Sequence, residues 1–176
     1  MINVLLAVVF AGLVAMIAAV FLADAAISFA LHSAEQYRWT EAEKFFRKAV
    51  ALDRFDASHW AAMGNFFLSQ SIYADNRIPK LLESEEAYLK ASLLSPRSAS
   101  YRVSLGQVRI ELFLSDRVKY PQRLSLGLSD LMTACRYDPR GFNTAYHAGY
   151  SGSPFGIFWI KKGEVSFWIG CGMPCV

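Results

Sequence analysis

Charge is absent from one long stretch near the start of this sequence. Residues 4–23 read VLLAVVFAGLVAMIAAVFLA and contain no Asp, Glu, Lys, Arg or Pro. In a helix, at about 1.5 Å per residue, such a run spans the roughly 30 Å of a bilayer core. It predicts a transmembrane helix over residues 1–23. A cleaved signal peptide is the alternative, because Leu22–Ala25 resembles a cleavage site, although no Lys or Arg precedes the apolar run.

The side of the membrane on which the rest of the chain lies is left open. Basic residues follow the apolar run, beginning with Arg38 and Lys44, and none precedes it. The positive-inside bias favours the cytoplasmic side, but long domains often cross a membrane regardless of charge.

Residues that carry catalysis or bind cofactors are scarce. There are three cysteines and three histidines, and His32, His59 and His147 each stand alone in helical patterns. No paired-His metal motif, Gly-rich phosphate loop or nucleophile elbow occurs. Cys171 and Cys175 suit either a small disulfide loop or free thiols. We predict a chain that is not an enzyme and that needs no cofactor or metal.

The charge balance argues against a nucleic-acid partner. The sequence has 18 basic and 15 acidic residues, and the two kinds are interspersed without a dense cluster of Lys and Arg. A nucleic-acid surface normally concentrates positive charge on one side of a domain. Among the acids, Glu41, Glu43, Glu83, Glu85 and Glu86 are expected at the starts of helices, where they complement the helix dipole.

A degenerate repeat occupies the middle of the sequence. Three segments share small and aromatic residues at helical spacing, then a turn, then a short apolar run with Gly, and Pro96 and Pro139 close two of them forty-three residues apart. This pattern is typical of paired antiparallel helices, in which a small residue allows two backbones to approach. The residues that repeat are Ala42, Phe46 and Ala49; Ser84, Tyr88 and Ala91; Gly127, Leu131 and Ala134; and the glycines Gly64, Gly106 and Gly149.

At these positions the chain resembles the tetratricopeptide repeat (TPR) family. Trp60, Met63, Gly64 and Phe67 match the first helix of its motif. The resemblance covers residues 24–150 and implies an α-solenoid of about three helix pairs with an unfinished fourth unit. The period of about 42–43 exceeds the usual 34, so a HEAT-type repeat is the alternative. The surplus is expected as insertions between paired helices, in 69–82 and 115–126, and each is expected to be a loop because it carries one proline, Pro79 or Pro121, and is rich in loop-forming residues.

Two arginines depart from the family motif. In the first helix of the third unit, Arg102 occupies the position of the motif's Trp and Arg109 the position of its Tyr. Counting back from Ala42 puts the first repeat helix at 24–36, directly behind the apolar run. The register therefore predicts an array joined to the membrane helix without a linker, either by continuation of that helix or by a bend near Asp24.

The resemblance also implies where a partner binds. TPR proteins hold a protein or peptide in the concave groove made by first helices, and transferring those positions gives a mixture of amide, hydroxyl, apolar and charged side chains. The expected groove residues are Ser58, Ala61, Asn65, Leu68, Arg97, Ser100, Val103, Gln107, Glu111, Arg140, Asn143 and Tyr146.

The tail, residues 151–176, has a different composition. Two short aromatic and β-branched runs flank a turn around Gly163, which predicts a β-hairpin. The tail could instead enter the membrane interface through Trp159 and Trp168, or be the end of a truncated reading frame.

These features predict a single-pass membrane scaffold, bound to the membrane through residues 4–23, that assembles protein partners. An assembly factor for a membrane complex is a related hypothesis. The junction of membrane helix and repeats also resembles the C-terminal region of O-antigen ligase and polymerase-related proteins. That resemblance implies the bacterial inner membrane and, as an alternative function, an accessory region of a glycan-transferring protein.

Overall fold

The computed structural model describes the backbone of residues 2–138 and the side chains of residues 6–138. In this part of the chain the predicted all-α fold is confirmed. Six helices follow one another, joined by short turns: α1 (Ile2–Glu35), α2 (Trp39–Leu52), α3 (Ala57–Tyr73), α4 (Arg77–Leu94), α5 (Ala99–Ser115) and α6 (Gln122–Tyr137). They pack as three pairs, α1 with α2, α3 with α4 and α5 with α6, and each pair stacks on the next. The expected fourth unit and the hairpin tail lie outside the described residues.

Helix α1 carries both the apolar run and the first face of the array. It continues for 34 residues without interruption. The apolar side chains from Leu6 to Leu22 are largely exposed, whereas Ala23, Ala26, Ala30 and Ser33 are buried. These four residues recur at intervals of three or four, so they share one face of the helix, and α1 packs along α2. The repeat register allowed either continuation of the apolar helix into the repeats or a bend near Asp24, and the structure has continuation.

The N-terminal part of α1 meets the requirements of a membrane span by length and composition. The candidate span has a mean hydropathy of 2.8, and only 6% of its most apolar window is buried. A core helix of a soluble protein would be mostly buried, so the exposed apolar surface argues against that alternative. A signal sequence near the N-terminus meets the same criteria.

The repeated residues form the core between the helix pairs. Ala42, Phe46 and Ala49 are fully buried, and Tyr88 and Ala91 take the equivalent positions in the next unit. The first core cluster joins α1, α2 and α3 and includes Ala87 of α4, and the second joins α3, α4 and α5. Helical spacing alone was sufficient to predict these packing positions, because each of them faces the neighbouring helix once per turn.

Gly64 and Gly106 lie at close helix contacts, as the repetition of glycine predicts, while Gly149 lies outside the described residues. A Cβ on Gly64 would lie 2.9 Å from the Tyr88 ring. A Cβ on Gly106 would lie 2.8 Å from the carbonyl oxygen of Gly127, and the reverse contact is equally short. Since backbone meets backbone, α5 and α6 approach as closely as they do only because neither residue has a side chain.

The prediction that residues 69–82 and 115–126 are loops is wrong, because most of these residues extend the helices on either side. Helix α3 continues to Tyr73 and α4 begins at Arg77, so only residues 74–76 connect them. Pro79 suggested a loop, yet it lies in the first turn of α4, where a backbone N–H has no acceptor within the helix. Between α5 and α6, residues 116–121 form a true connection and the rest of that segment is helical.

Candidate partner-binding surface

The predicted groove residues within the described chain lie on the first helices of the second and third pairs, or just before them. Ser58, Asn65 and Leu68 are on α3, and Arg97 precedes α5. Ser58, Asn65, Arg97, Ser100 and Gln107 are exposed, while Leu68, Val103 and Glu111 are half-buried. The remaining predicted positions, Arg140, Asn143 and Tyr146, lie outside the described residues.

One predicted groove residue belongs to the core instead. Ala61 is only 7% exposed and packs with Tyr88 and Leu105 in the second core cluster. Its methyl group faces inward because α3 must contact α4 along that side. Ala61 therefore offers no surface to a partner.

Tyr88 connects the exposed surfaces of α3 and α5. Its ring is held against Gly64, and its hydroxyl donates a hydrogen bond to the side-chain oxygen of Asn65. Burial raises the pKa of the Tyr88 hydroxyl to about 12, an effect that a hydrogen bond with Ser104 opposes only partly. The phenol is therefore neutral at physiological pH and remains a donor. Asn65, Tyr88 and Ser104 form a polar contact between the two first helices, which we call the polar floor.

The sequence indicated only part of the polar floor. Asn65 was expected in the groove, but Tyr88 was expected only as a packing residue of α4, and Ser104 was not singled out. The aromatic position of the motif was the available signal, since a Tyr there brings a hydroxyl to the end of a buried ring.

Glu111 is not free to meet a basic partner. Arg77, the first residue of α4, donates to the Glu111 carboxylate at 3.0 Å, and the Glu111 side chain is only 12% exposed. This ion pair fastens the start of α4 to α5. Glu111 thus stabilises the array at a place where the resemblance implied a binding residue.

A second set of charges lies between α4, α5 and α6, and we call it the ionic cluster. Arg109 contacts Glu85 at 2.8 Å and also Asp130, while a second arginine pairs with each acid. Both carboxylates are more than nine-tenths buried. The members are Glu85, Arg102, Arg109, Arg123 and Asp130.

The ionic cluster explains the departures from the repeat motif. Arg102 and Arg109 replace aromatic residues, and acids on α4 and α6 receive their guanidinium groups. Glu85 was expected at the start of a helix, but α4 begins eight residues earlier, at Arg77. That interpretation is wrong for Glu83 and Glu86 as well, since both lie in the middle of α4.

His59 fastens the start of α3 to α1. Its side chain is 4% exposed, and Nε2 lies 3.0 Å from an Asp24 oxygen and 3.8 Å from an Asp56 oxygen. Asp56 also accepts a hydrogen bond from the backbone of Ser58. Burial raises the pKa of Asp56, but its hydrogen bonds with Ser58 and the charge of His59 lower it by more, so the net pKa is lowered.

Within residues 6–138, Asp53, Asp56 and His59 are the group with the spacing of a metal site, their ligand atoms lying within 4.8 Å of one another. One oxygen of Asp53 accepts from the backbone of Phe55, and Asp56 caps α3 in the same manner. These contacts are those of an ordinary helix start. The group is therefore explained by its structural contacts, in which Asp53 and Asp56 stabilise the turn before α3 and His59 joins α3 to α1.

Comparison with known proteins supports the fold. The structure is similar to the Arabidopsis OM64 TPR domain, with a TM-score of 0.55 over 74% of this chain and 95% of that domain, at 15% sequence identity. No protein-family model matches the sequence, and no curated protein matches it. These comparisons do not support the resemblance of the membrane junction to O-antigen ligases. The described chain is thus an array of helix pairs packed like TPR repeats.

Proposed function

We propose that this chain is a membrane-anchored scaffold that binds an extended segment of a partner protein across α3 and α5. The polar floor is the observation that carries the proposal. It joins the two first helices at Asn65 and Ser104, and exposed polar side chains continue from it on both helices, including Ser58 and Gln107.

The chemistry of this surface suits a peptide backbone. Amide and hydroxyl groups both donate and accept hydrogen bonds, as the N–H and C=O groups of an extended segment require. Among the charged groups nearby, Glu111 is held by Arg77 and the ionic cluster pairs its own members, which leaves Arg97 as the exposed charge without an ion pair among the described residues. A partner is therefore recognised through neutral polar groups and the half-buried Leu68 and Val103.

Photo-crosslinking tests this surface. A photoreactive residue replaces Gln107 on α5, and the matched control replaces Ser129, an exposed residue on α6. We expect a specific protein adduct from position 107 and none from position 129. Equal adducts from both positions, or none from 107, would count against binding across the first helices.

Two substitutions complete the test. Gln107→Ala removes an exposed amide, and Asn65→Ala removes the acceptor of the Tyr88 hydroxyl. We expect both variants to recover less partner from detergent extracts than the wild type, with Ser129→Ala unchanged. Unchanged recovery by both groove variants would contradict the proposal.

The anchor is proposed from the exposed apolar part of α1. Within residues 6–138 its apolar side chains from Leu6 to Leu22 are left largely uncovered, and a bilayer supplies that cover. We expect the chain to stay in the membrane fraction after alkaline carbonate extraction and to keep its N-terminal residues. Release of a chain that begins at Asp24 would show a cleaved signal instead.

A further inference from the structure

One end of the array lies level with the point where the apolar run of α1 ends. His59, in the first turn of α3, contacts Asp24, which directly follows the apolar run. The α2–α3 turn, residues 53–56, therefore lies beside the exit of α1 from its apolar part. We call this the anchor-side end.

The end of α4 lies at the same level. The indole N–H of Trp60 donates to the carbonyl oxygen of Arg54 at 2.9 Å. Lys90, near the end of α4, places its ammonium 4.4 Å from the centre of the Trp60 ring. Since α4 runs antiparallel to α3, Leu93 and Leu94 extend past Trp60 toward the anchor-side end.

Large apolar side chains are exposed at this end. Phe55 is 71% exposed, Leu93 67% and Leu94 39%. The guanidinium of Arg54 lies 4.8 Å from the centre of the Phe55 ring, and Arg97 is exposed in the turn after α4. Apolar residues beside Arg are typical of segments that lie in the membrane interface.

The acidic residues at this end do not oppose such contact strongly. Asp53 and Asp56 each direct a carboxylate oxygen to a backbone N–H of their own turn. Asp24 is directed to His59. Among the described residues, the side chains of Arg54 and Arg97 have no hydrogen-bond or ion-pair partner. Both guanidinium groups are therefore available to lipid phosphates.

We propose that the anchor-side end docks on the surface of the bilayer that α1 spans. Phe55 and Leu93 insert between the headgroups, and Arg54 and Arg97 contact lipid phosphates. The inference rests on the proposed anchor, because the turns are brought to the bilayer only if α1 crosses it. It adds a second membrane contact, which fixes the orientation of the array on the membrane.

Depth-dependent fluorescence quenching tests the docking. The three native cysteines are replaced by serine, and single cysteines are placed as Phe55→Cys, Leu93→Cys, Val9→Cys or Ile72→Cys. Val9 is exposed in the apolar run. Ile72 is exposed at the opposite end of α3 and serves as the matched control. Each full-length variant carries an environment-sensitive fluorophore in vesicles of phosphatidylcholine and phosphatidylglycerol that contain nitroxide-labelled lipid.

We expect the labels at positions 9, 55 and 93 to lose emission to the nitroxide lipid, while the label at 72 keeps it. Quenching at 9 without quenching at 55 and 93 would show that the anchor is right and the docking wrong. No quenching at any position would overturn the anchor and the docking together. Equal quenching at 72 and 55 would show that the anchor-side end has no special contact and would also overturn the docking.

Discussion

Replacing Gly106 by Ala tests the closest helix contact in the array. The new methyl group would lie 2.8 Å from the carbonyl oxygen of Gly127 and 2.9 Å from a carbon of Leu131. Ordinary non-bonded contacts lie near 3.5 Å, so α5 and α6 must move apart by roughly 0.7 Å. The oxygen belongs to the backbone of α6 and cannot rotate away, whereas the Leu131 side chain can adjust.

Two opposing effects decide the magnitude. Overpacking of this kind costs about 1–3 kcal/mol, and a contact with backbone falls in the upper part of that range. Alanine improves helix propensity over glycine by about 1 kcal/mol. We therefore expect a net loss of about 1–2 kcal/mol, which lowers the midpoint of thermal unfolding by about 4–8 °C in an array of this size.

Thermal unfolding of the full chain in detergent, followed by circular dichroism, measures this loss. Gln107→Ala is the control, because the residue follows Gly106 on α5 and is exposed. We expect that variant to stay within about 0.5 kcal/mol of the wild type. Gly12→Ala should also be neutral, since a Cβ there meets nothing within 4 Å. A Gly106→Ala protein as stable as the wild type would refute the close approach of α5 and α6.

Two further predictions concern buried polar groups. Arg109→Met should destabilise the array by about 2–4 kcal/mol, measured by chemical denaturation, which is at the lower end for a broken buried ion pair because the other two arginines still pair with the acids. The control Arg38→Met, which breaks an exposed pair, should change the denaturation midpoint little. Tyr88 has a pKa raised from 10.0 to about 12 in the folded state, so its stabilising effect is complete below pH 10 and is lost as pH rises toward 12. The full loss amounts to about 2.7 kcal/mol from two pKa units, and about half of it falls between pH 9 and pH 11. Unfolding measured at those two pH values should therefore show Tyr88→Phe losing less stability than the wild type, and equal losses would contradict the burial of a neutral phenol.

The sequence predicted the features of the fold that repeat locally. Phe46 and Tyr88 face the core because one position per helical turn does so, and this periodicity is visible without a structure. The recurrence of Gly before each apolar stretch indicated close packing for the same reason. The extension of α3 and α4 into the expected insertion was missed because Pro79 is compatible with both a loop and a first helical turn.

The contacts between distant residues could not be predicted in the same way. Arg109 and Glu85 are twenty-four residues apart, and their meeting depends on how α4 and α5 are packed. From the sequence alone, Arg109 was only a departure from the motif, and Glu85 was expected to be an acidic residue at the start of a helix. Likewise, Asn65 was expected at a surface, but its bond to Tyr88 requires the glycine that admits the ring between the helices.

The continuity of α1 has a mechanical consequence. A helix of 34 residues is about 50 Å long, and no Gly or Pro lies between its apolar part and Glu35 to act as a hinge. In the anchored protein that we propose, tilt or rotation of the apolar part of α1, such as a change in bilayer thickness produces, would be transmitted to the face that packs on α2. Because each pair stacks directly on the next, the resulting displacement would grow with distance along the array. The surface proposed to hold a partner would therefore move further than the membrane helix that drives it.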